Sequence, residues 1–349
     1  MTERGFKQRF MLLDRKLVTA GLDGSLISHM PMVLYAKVRI LTHNSPMKRI
    51  LIIGCGDVAL RTIPQLTARY RVYALIRNPA YCEKLRQLGV IPLLGDLDKR
   101  ASLARIACLA DAVLHFAPPP TIGNIDTRTR NLLSVLSKGQ LPERLVYIST
   151  SGVYGDCGGA WVDETRPLNA QSARGQRRLD AEQQIRDWAR QNRVCASILR
   201  VPGIYAGDRL PIDRLKLATP SIVDEQDSHT NHIHADDLAR IAVAALVRAA
   251  SCRVYHASDD SQLKMGEYFD AVADAFGLPH APRLPRAEVQ CAVSPVMYSF
   301  MNESRRLLNA RMKHELKVRL KYPTVADFLT KVTVEISKNR HAGLDPSSS

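Results

Sequence analysis

The stretch RILIIGCGDVA at residues 49–59 decides the fold. An apolar strand runs into a glycine turn and then into a helical pattern, which is the arrangement of a dinucleotide-binding unit. Gly54 permits the tight turn, and Gly56 lets the backbone approach a pyrophosphate held by free N–H groups at the helix N-terminus. The alternative is a glycine turn that binds no ligand. The residues predicted here to bind the cofactor are Gly54, Cys55, Gly56, Asp57 and Val58.

The alternation of strand and helix patterns continues to residue 200. Apolar runs predict strands at 49–53, 71–76, 90–94, 111–116, 143–149 and 194–200. Amphipathic segments predict helices near 57–68, 80–88, 98–108, 124–138 and 172–192. Each helix is long enough for the crossover that parallel strands require. The pattern therefore predicts an α/β fold with a Rossmann-like, doubly wound parallel sheet of six strands.

Beyond residue 200 the pattern indicates a smaller C-terminal region that covers the substrate. It predicts a strand at 230–234 and helices near 235–249, 265–276, 295–311 and 324–336. The predicted organisation is an N-terminal extension at 1–46, an NAD(P)-binding Rossmann domain at 47–220, the smaller region at 221–336 and a flexible tail at 337–349. Because the first strand follows Met47 almost directly, we hypothesise that Met47 is the true start and that 1–46 is either an unconserved extension or a wrongly assigned start that is not native.

The composition indicates a folded protein that binds anions. Of the 349 residues, 46% are hydrophobic and 24% are charged, and the formal net charge is +15. This charge suits phosphorylated cofactors and nucleotide sugars, while no basic run with interleaved aromatic residues indicates specific nucleic-acid binding. The seven cysteines are scattered without metal-like spacing. With neither a secretory segment nor an apolar run long enough to cross a membrane, the sequence predicts a cytoplasmic protein without a metal.

The ends of the second and third strands bear on the choice of cofactor. Arg77 follows the second strand where an NAD-specific protein places an acidic residue for the ribose hydroxyls. A guanidinium there pairs with a 2′-phosphate, so we expect NADP(H) as the cofactor, with NAD as the alternative. If Arg77 does not contact the cofactor, it is a solvated surface arginine. Asp96 and Leu97 end the third strand, where Asp96 either accepts from the adenine amino group or caps the next helix.

Five segments together resemble the extended short-chain dehydrogenase/reductase family, the NAD-dependent epimerase/dehydratase group, over about residues 49–330. They are Gly54-Cys55-Gly56, Gly95-Asp96-Leu97, Ser149 to Gly155, Arg200 to Tyr205 and Ile233 to Leu238. The resemblance implies that Thr150 is the catalytic hydroxyl, which hydrogen-bonds the reacting oxygen. It also implies that Pro202 and Gly203 lie beside the nicotinamide and that Ala117 and Pro118 run past the cofactor.

The sequence departs from the family pattern at two places. The phosphate turn is GxGxxA where the family usually has GxxGxxG. The family also has a Tyr, with a Lys four residues later that lowers the Tyr pKa, whereas this chain has Arg174 and Arg178 at those positions. Arg174 cannot act as a general acid because a guanidinium stays protonated. Arg178 is expected to hold the nicotinamide ribose as the Lys would, which indicates an atypical member of the family.

Other residues are candidates for the missing acid/base or for binding the substrate. Tyr154, Tyr205, His232 and His234 are the candidate proton donors, although each also fits a structural role. A metal site at His232, His234 and Asp236 is disfavoured because Asp236 suits a helix N-terminus. The loop 155–164 either covers the site or is a plain surface loop, and Arg200 and Arg209 either meet an anionic substrate or pair with nearby acids.

These observations favour an NADP(H)-dependent oxidoreductase or epimerase acting on a small carbonyl or sugar-nucleotide substrate. The loss of the Tyr-Lys pair favours a non-catalytic NADP(H)-binding regulatory protein instead. Nucleic-acid binding has only the positive charge in its favour. The resemblance also implies a homodimer formed through the predicted helices at 124–138 and 172–192.

Overall fold

A seven-stranded parallel sheet forms the centre of the protein, in a computed structural model that describes residues 48–341. The sheet strands are β1 Arg49–Ile53, β2 Arg71–Ile76, β3 Val90–Leu94, β4 Ala112–His115, β5 Arg144–Thr150, β7 Cys195–Val201 and β11 Arg253–His256. Their order is β11-β7-β5-β4-β1-β2-β3, so the chain winds outward from β1 in both directions. Six short strands form three parallel pairs outside the sheet: β6 Trp161–Val162 with β13 Arg306–Leu307, β8 Gly203–Tyr205 with β10 His232–His234, and β9 Ser221–Ile222 with β12 Arg283–Leu284.

Eleven α-helices occur among the described residues. They are α1 Asp57–Thr67, α2 Cys82–Gln87, α3 Thr127–Leu136, α4 Ala173–Asn192, α5 Ile212–Lys216, α6 Ala235–Arg248, α7 Met265–Phe276, α8 Arg286–Ala292, α9 Pro295–Met301, α10 Ala310–Leu316 and α11 Val325–His341. None of the helices in this part of the chain is long and apolar enough to span a membrane.

The alternation of side chains along β1 explains why helices cover both faces of the sheet. Ile50 and Ile52 point to one face, where they share a core with Ile63 of α1 and Ile241 of α6. Leu51 and Ile53 point to the other face, where they share a core with α3 and α4. Because successive residues of a strand face opposite sides, a continuous apolar run is buried on both.

The predicted Rossmann-like sheet is confirmed, with one strand more than expected. The six predicted strands all occur, within about a residue at each end. The seventh, β11, lies beside β7 at the edge, and the sequence pattern gave no strand there. The predicted helix at 98–108 is a 3₁₀ helix, Arg100–Ile106. The prediction of a single helix at 295–311 was wrong, because β13 separates two helices there, α9 and α10.

The segment 221–336 contributes both to the central sheet and to a separate hydrophobic core. Helix α6 packs on α1, and β11 joins the sheet, although the sequence placed both in the smaller region. Helices α7 and α11 form another core outside the sheet. Helix α11 continues to His341, beyond the expected start of the tail at 337. The extension at 1–46 and the last eight residues lie outside the described residues.

Candidate functional site

The glycine turn has the geometry that its sequence predicts. Gly54 has a φ of +88°, and a Cβ at this position would lie 2.5 Å from the backbone nitrogen of Ala117. Gly56 has a φ of −90°, and a Cβ there would meet nothing within 4 Å. The turn therefore requires glycine at 54 for the fold, while Gly56 leaves open space at the N-terminus of α1, where phosphates bind well.

A cavity of about 390 Å³ opens in front of this turn, at the carboxyl ends of β1 to β4. Of the predicted cofactor-binding residues, it is lined by Gly54, Cys55, Gly56, Arg77, Asp96, Leu97, Ala117 and Pro118. Asp57 and Val58 do not line it, because the Asp57 carboxylate pairs with Arg61 at 2.8 Å and Val58 packs on the core. The cavity thus gathers the ends of four strands where an open α/β sheet binds its ligand.

One side of this first cavity is charged. Arg77 is exposed at the end of β2, and Asn78 beside it caps the next turn by accepting from the Ala80 N–H. Arg128, which the sequence analysis did not select, donates to both Asp98 oxygens and to the carbonyl of Pro118. Its hydrogen bonds to Asp98 hold the pKa of that carboxyl below its usual range.

Asp96 has a local structural task in addition to its place in the first cavity. Its Oδ1 accepts from the Asp98 N–H at 3.0 Å, while its own N–H donates to Ser102 Oγ. Asp96 therefore closes a turn ahead of the next helix, whose N-cap is Lys99, and this turn leaves Asp96 on the cavity wall.

A second cavity, of about 500 Å³, contains Thr150, Pro202 and Gly203. Thr150 ends β5, and its Oγ1 accepts from the Gly152 N–H at 3.2 Å. The hydroxyl proton of Thr150 remains available for donation, because the Gly152 N–H occupies only one lone pair of the Thr150 oxygen. Both cavities thus lie at the carboxyl edge of one parallel sheet, the first at the glycine turn and the second at the predicted catalytic hydroxyl.

Residues 50–257 match a family model, that of the NAD dependent epimerase/dehydratase family. The chain belongs to this family. No curated protein sequence matches the chain. The family assignment confirms the resemblance that the five segments indicated.

Solved structures of the family's fold cover most of this chain. A conserved protein of unknown function from Silicibacter pomeroyi is 28% identical, with a TM-score of 0.68 over 83% of this chain and 99% of its own. A dTDP-glucose 4,6-dehydratase from Streptomyces venezuelae with bound NAD is 20% identical, with a TM-score of 0.67 over 85% of this chain and 100% of its own. A UDP-glucuronic acid 4-epimerase from Bacillus cereus in complex with NAD is 18% identical, with a TM-score of 0.65 over 86% of this chain and 100% of its own. The last two show the fold alone.

The family's Tyr and Lys positions are occupied by two arginines with different surroundings. Arg174 lines the second cavity, and its guanidinium lies 3.8 Å from the centre of the Phe300 ring. Burial lowers the pKa of Arg174, although the Glu303 carboxylate partly offsets this. Arg178 instead donates to the Ile148 carbonyl at 2.7 Å and to the Tyr147 hydroxyl. Arg178 is therefore held by β5 and is not among the residues that line either cavity.

Tyr154 is not placed to exchange a proton with a substrate. It is fully buried and lines neither cavity, and its hydroxyl contacts His256 Nε2 and Arg200 Nη1, each at 2.6 Å. Burial raises the pKa of Tyr154 to about 12, despite the nearby Arg200 charge. Arg200 is buried as well and pairs with Glu182 at 2.7 Å, so it does not meet a substrate. The packing alternative applies to Tyr154, while Arg200 pairs with a buried acid on α4 and not with a nearby surface acid.

Of the remaining candidate proton donors, Tyr205 and His232 line the second cavity and His234 does not. Tyr205 lines the cavity, yet its hydroxyl donates to the Thr324 carbonyl and burial raises its pKa. His232 also lines it, but burial lowers its pKa to about 3, outside the useful range. His234 Nδ1 accepts from the Asp236 N–H and caps α6. No metal-binding cluster of His, Cys, Asp or Glu occurs between residues 48 and 341.

The loop 155–164 is attached to a segment that the sequence analysis did not select. Cys157 and Gly159 donate to the Ser304 carbonyl, and Trp161 pairs with Arg306. The same segment brings Glu303 and Arg305 into the second cavity, where Arg305 donates to Glu303 at 2.8 Å. The loop therefore anchors the segment that carries these two charges, although no residue of 155–164 lines the second cavity.

Proposed function

We propose that the protein is an NADP(H)-dependent oxidoreductase or epimerase that acts on a small carbonyl or sugar-nucleotide substrate. The observation that carries the proposal is the placement of both cavities along one sheet edge. The first contains the glycine turn for the pyrophosphate, and the second contains Thr150 beside Pro202 and Gly203. A dinucleotide bound along this edge supplies or accepts hydride. The chain's own task is to orient the cofactor and substrate and to polarise the reacting oxygen.

The proposed preference for NADP(H) is supported by the charge at the end of β2. Arg77 lines the first cavity, and the next residue, Asn78, carries no charge that would repel a 2′-phosphate. The positive charge of Arg77 helps to lower the pKa of Asp98, but Asp98 is itself paired with Arg128 at 2.7 Å. Arg77 is therefore available to a phosphate, whereas a protein that selects NAD needs a carboxylate for the ribose hydroxyls.

We expect Arg77→Ala to weaken NADPH binding by roughly tenfold to a hundredfold and NADH binding by less than about threefold, because only NADPH loses a charge-assisted hydrogen bond. The measurement is titration of each nucleotide by its nicotinamide fluorescence. Arg71→Ala is the matched control, since Arg71 is exposed at the opposite end of the same strand. Equal losses for the two nucleotides would remove Arg77 from the cofactor site.

Thr150 is the residue to which we assign polarisation of the substrate oxygen. Its Oγ1 accepts from the Gly152 N–H, so a backbone turn holds the oxygen in place while the hydroxyl proton stays free to donate. A hydrogen bond to the reacting oxygen strengthens as negative charge develops on it, and this lowers the barrier to hydride transfer. The proton of the reaction must come from another donor, since Arg174 keeps its charge.

Replacement of Thr150 by alanine is expected to lower kcat about a hundredfold to a thousandfold with little change in NADPH affinity, because one preorganised donor is lost. The assay follows NADPH oxidation with aldehydes, ketones and sugar nucleotides. Thr150→Ser is the control, as it retains the hydroxyl and is expected to keep most of the activity. An alanine variant as active as the native protein would show that the reacting oxygen lies elsewhere.

A second function is favoured by the two arginines at the family's Tyr and Lys positions. Arg174 cannot exchange a proton, and Arg178 is hydrogen-bonded to β5. These features fit a non-catalytic NADP(H)-binding regulatory protein. Purified protein that binds NADPH but turns over no member of the substrate panel would favour this function over the enzyme.

A further inference from the structure

A third cavity, of about 420 Å³, lies between the end of α10 and the loop that follows β11. It shares no lining residue with the first or the second cavity. Its basic residues are Lys313, His314, Lys317 and Arg319, and its only acidic residue in the described structure is Asp260. This part of the surface is therefore concave and has an excess of basic residues, and the function proposed above uses neither property.

Two of these basic residues have no counter-ion among residues 48–341. Lys313 is neutralised, because its Nζ lies 2.5 Å from Asp260 Oδ1. The basic residues that flank the cavity in the sequence are paired as well, Arg311 with Glu164 and Lys321 with Asp236. Lys317 and Arg319 form no ion pair in the part of the chain that the structure describes. Both are exposed and line the third cavity, so their charges are available to a ligand that enters from solvent.

The backbone that carries these two free cations is fixed at both ends. Leu316 and Val318 are buried in the core that α6 shares with the sheet. The Asp237 carboxylate, which is fully buried, accepts from the Lys321 N–H at 2.7 Å and from the Tyr322 N–H at 2.9 Å. The cations on either side of Val318 are therefore held beside the cavity before any ligand arrives, which reduces the entropy lost on binding.

We propose that the third cavity binds a small molecule that carries a phosphate or diphosphate group, at a site separate from those of the cofactor and the substrate. Two free cations beside one concave space suit a group with more than one negative charge. Arg319 offers a planar fork to two phosphate oxygens, and Lys317 adds a compact charge.

The shape and the lining of the third cavity favour a small ligand over a nucleic acid. A single-stranded nucleic acid is held by a long basic groove and by aromatic side chains on which its bases stack. No Phe, Tyr or Trp among the described residues lines this cavity, and its apolar lining comes from aliphatic residues such as Val318 and Leu320. The proposal does not depend on the enzymatic function proposed above, because the three cavities have separate walls.

The test measures the binding of inorganic pyrophosphate by titration calorimetry, with NADPH present to fill the first cavity. We expect Lys317→Asn/Arg319→Gln to weaken this binding roughly tenfold to a hundredfold, because two charge-assisted contacts are lost. Asparagine is used at 317 because Lys317 has a φ of +53°, which asparagine tolerates. Arg105→Gln/Lys138→Gln is the matched control, since it removes the same charge from two exposed residues that line none of the three cavities.

The variant Lys317→Arg/Arg319→Lys keeps both charges and should keep most of the affinity. Equal losses in the Lys317→Asn/Arg319→Gln variant and in the control would show that only the net charge matters, and the proposal would then be wrong. It would also be wrong if the native protein binds no pyrophosphate, or binds only a long thymidine oligonucleotide titrated in parallel. Thermal melting checks that the variants fold, and Arg319→Gln alone replaces the double variant if that one does not. Pyrophosphate binding that depends on these two residues supports the proposal whether or not the protein transfers hydride.

Discussion

Gly56→Val is expected to reduce NADPH binding more than a hundredfold while leaving the protein folded. A valine side chain would extend from the turn into the first cavity, where a Cβ meets no protein atom within 4 Å and the pyrophosphate is expected to lie. The φ of −90° is open to any residue, so the free energy of unfolding should change by about 1 kcal/mol or less, mainly through a poorer helix N-cap. Fluorescence titration and thermal melting measure the two effects.

Gly54→Val is the matched control for this prediction, because it changes the other glycine of the same turn. Its φ of +88° disfavours a side chain, and a Cβ would lie 2.6 Å from the Ala117 Cα. Both costs fall on the folded state, so this variant should lose several kcal/mol of stability as well as the cofactor. A Gly56→Val protein that binds NADPH with native affinity would show that the dinucleotide does not cross this turn.

The sheet was predictable because its strands are short apolar runs separated by crossover helices. The same reasoning missed β11, since Arg253–His256 has only four residues and its position depends on pairing with β7, far away in the sequence. It also predicted a helix through residues 302–309. That segment forms hydrogen bonds with the loop at 155–164 instead, and these contacts outweigh the local helical pattern.

The glycine turn and the position of Thr150 at the end of β5 were predictable because both depend on local backbone geometry. The charged wall of the second cavity was not, because it depends on which arginines find carboxylates after folding. Arg200 was a candidate for the substrate, yet Glu182 neutralises it. Arg214, which lines the same cavity and has two buried nitrogens without a partner among the described residues, gave no signal in the sequence.

Glu182→Gln is expected to cost about 3–5 kcal/mol of stability, because it leaves a buried guanidinium without its counter-charge. Glu182 and Arg200 are 1% and 2% exposed and meet through two hydrogen bonds, at 2.7 and 3.1 Å. Glu182 Oε1 also accepts from Ser149 Oγ at 2.6 Å. Ser149 directly precedes Thr150, and Arg200 lies two residues before Pro202. The ion pair therefore ties the two strand ends of the second cavity to α4. Denaturant unfolding measures the loss.

The double variant Glu182→Leu/Arg200→Met separates the ion pair from the packing of these positions. Because it removes both charges and keeps apolar volume, it should recover much of the stability that Glu182→Gln loses. The Tyr154 hydroxyl would then keep its contact with His256 but lose Arg200. If Thr150 is positioned through Ser149, the double variant should stay folded and bind NADPH while its kcat falls. A single variant as stable as the native protein would show that solvent or another acid compensates Arg200.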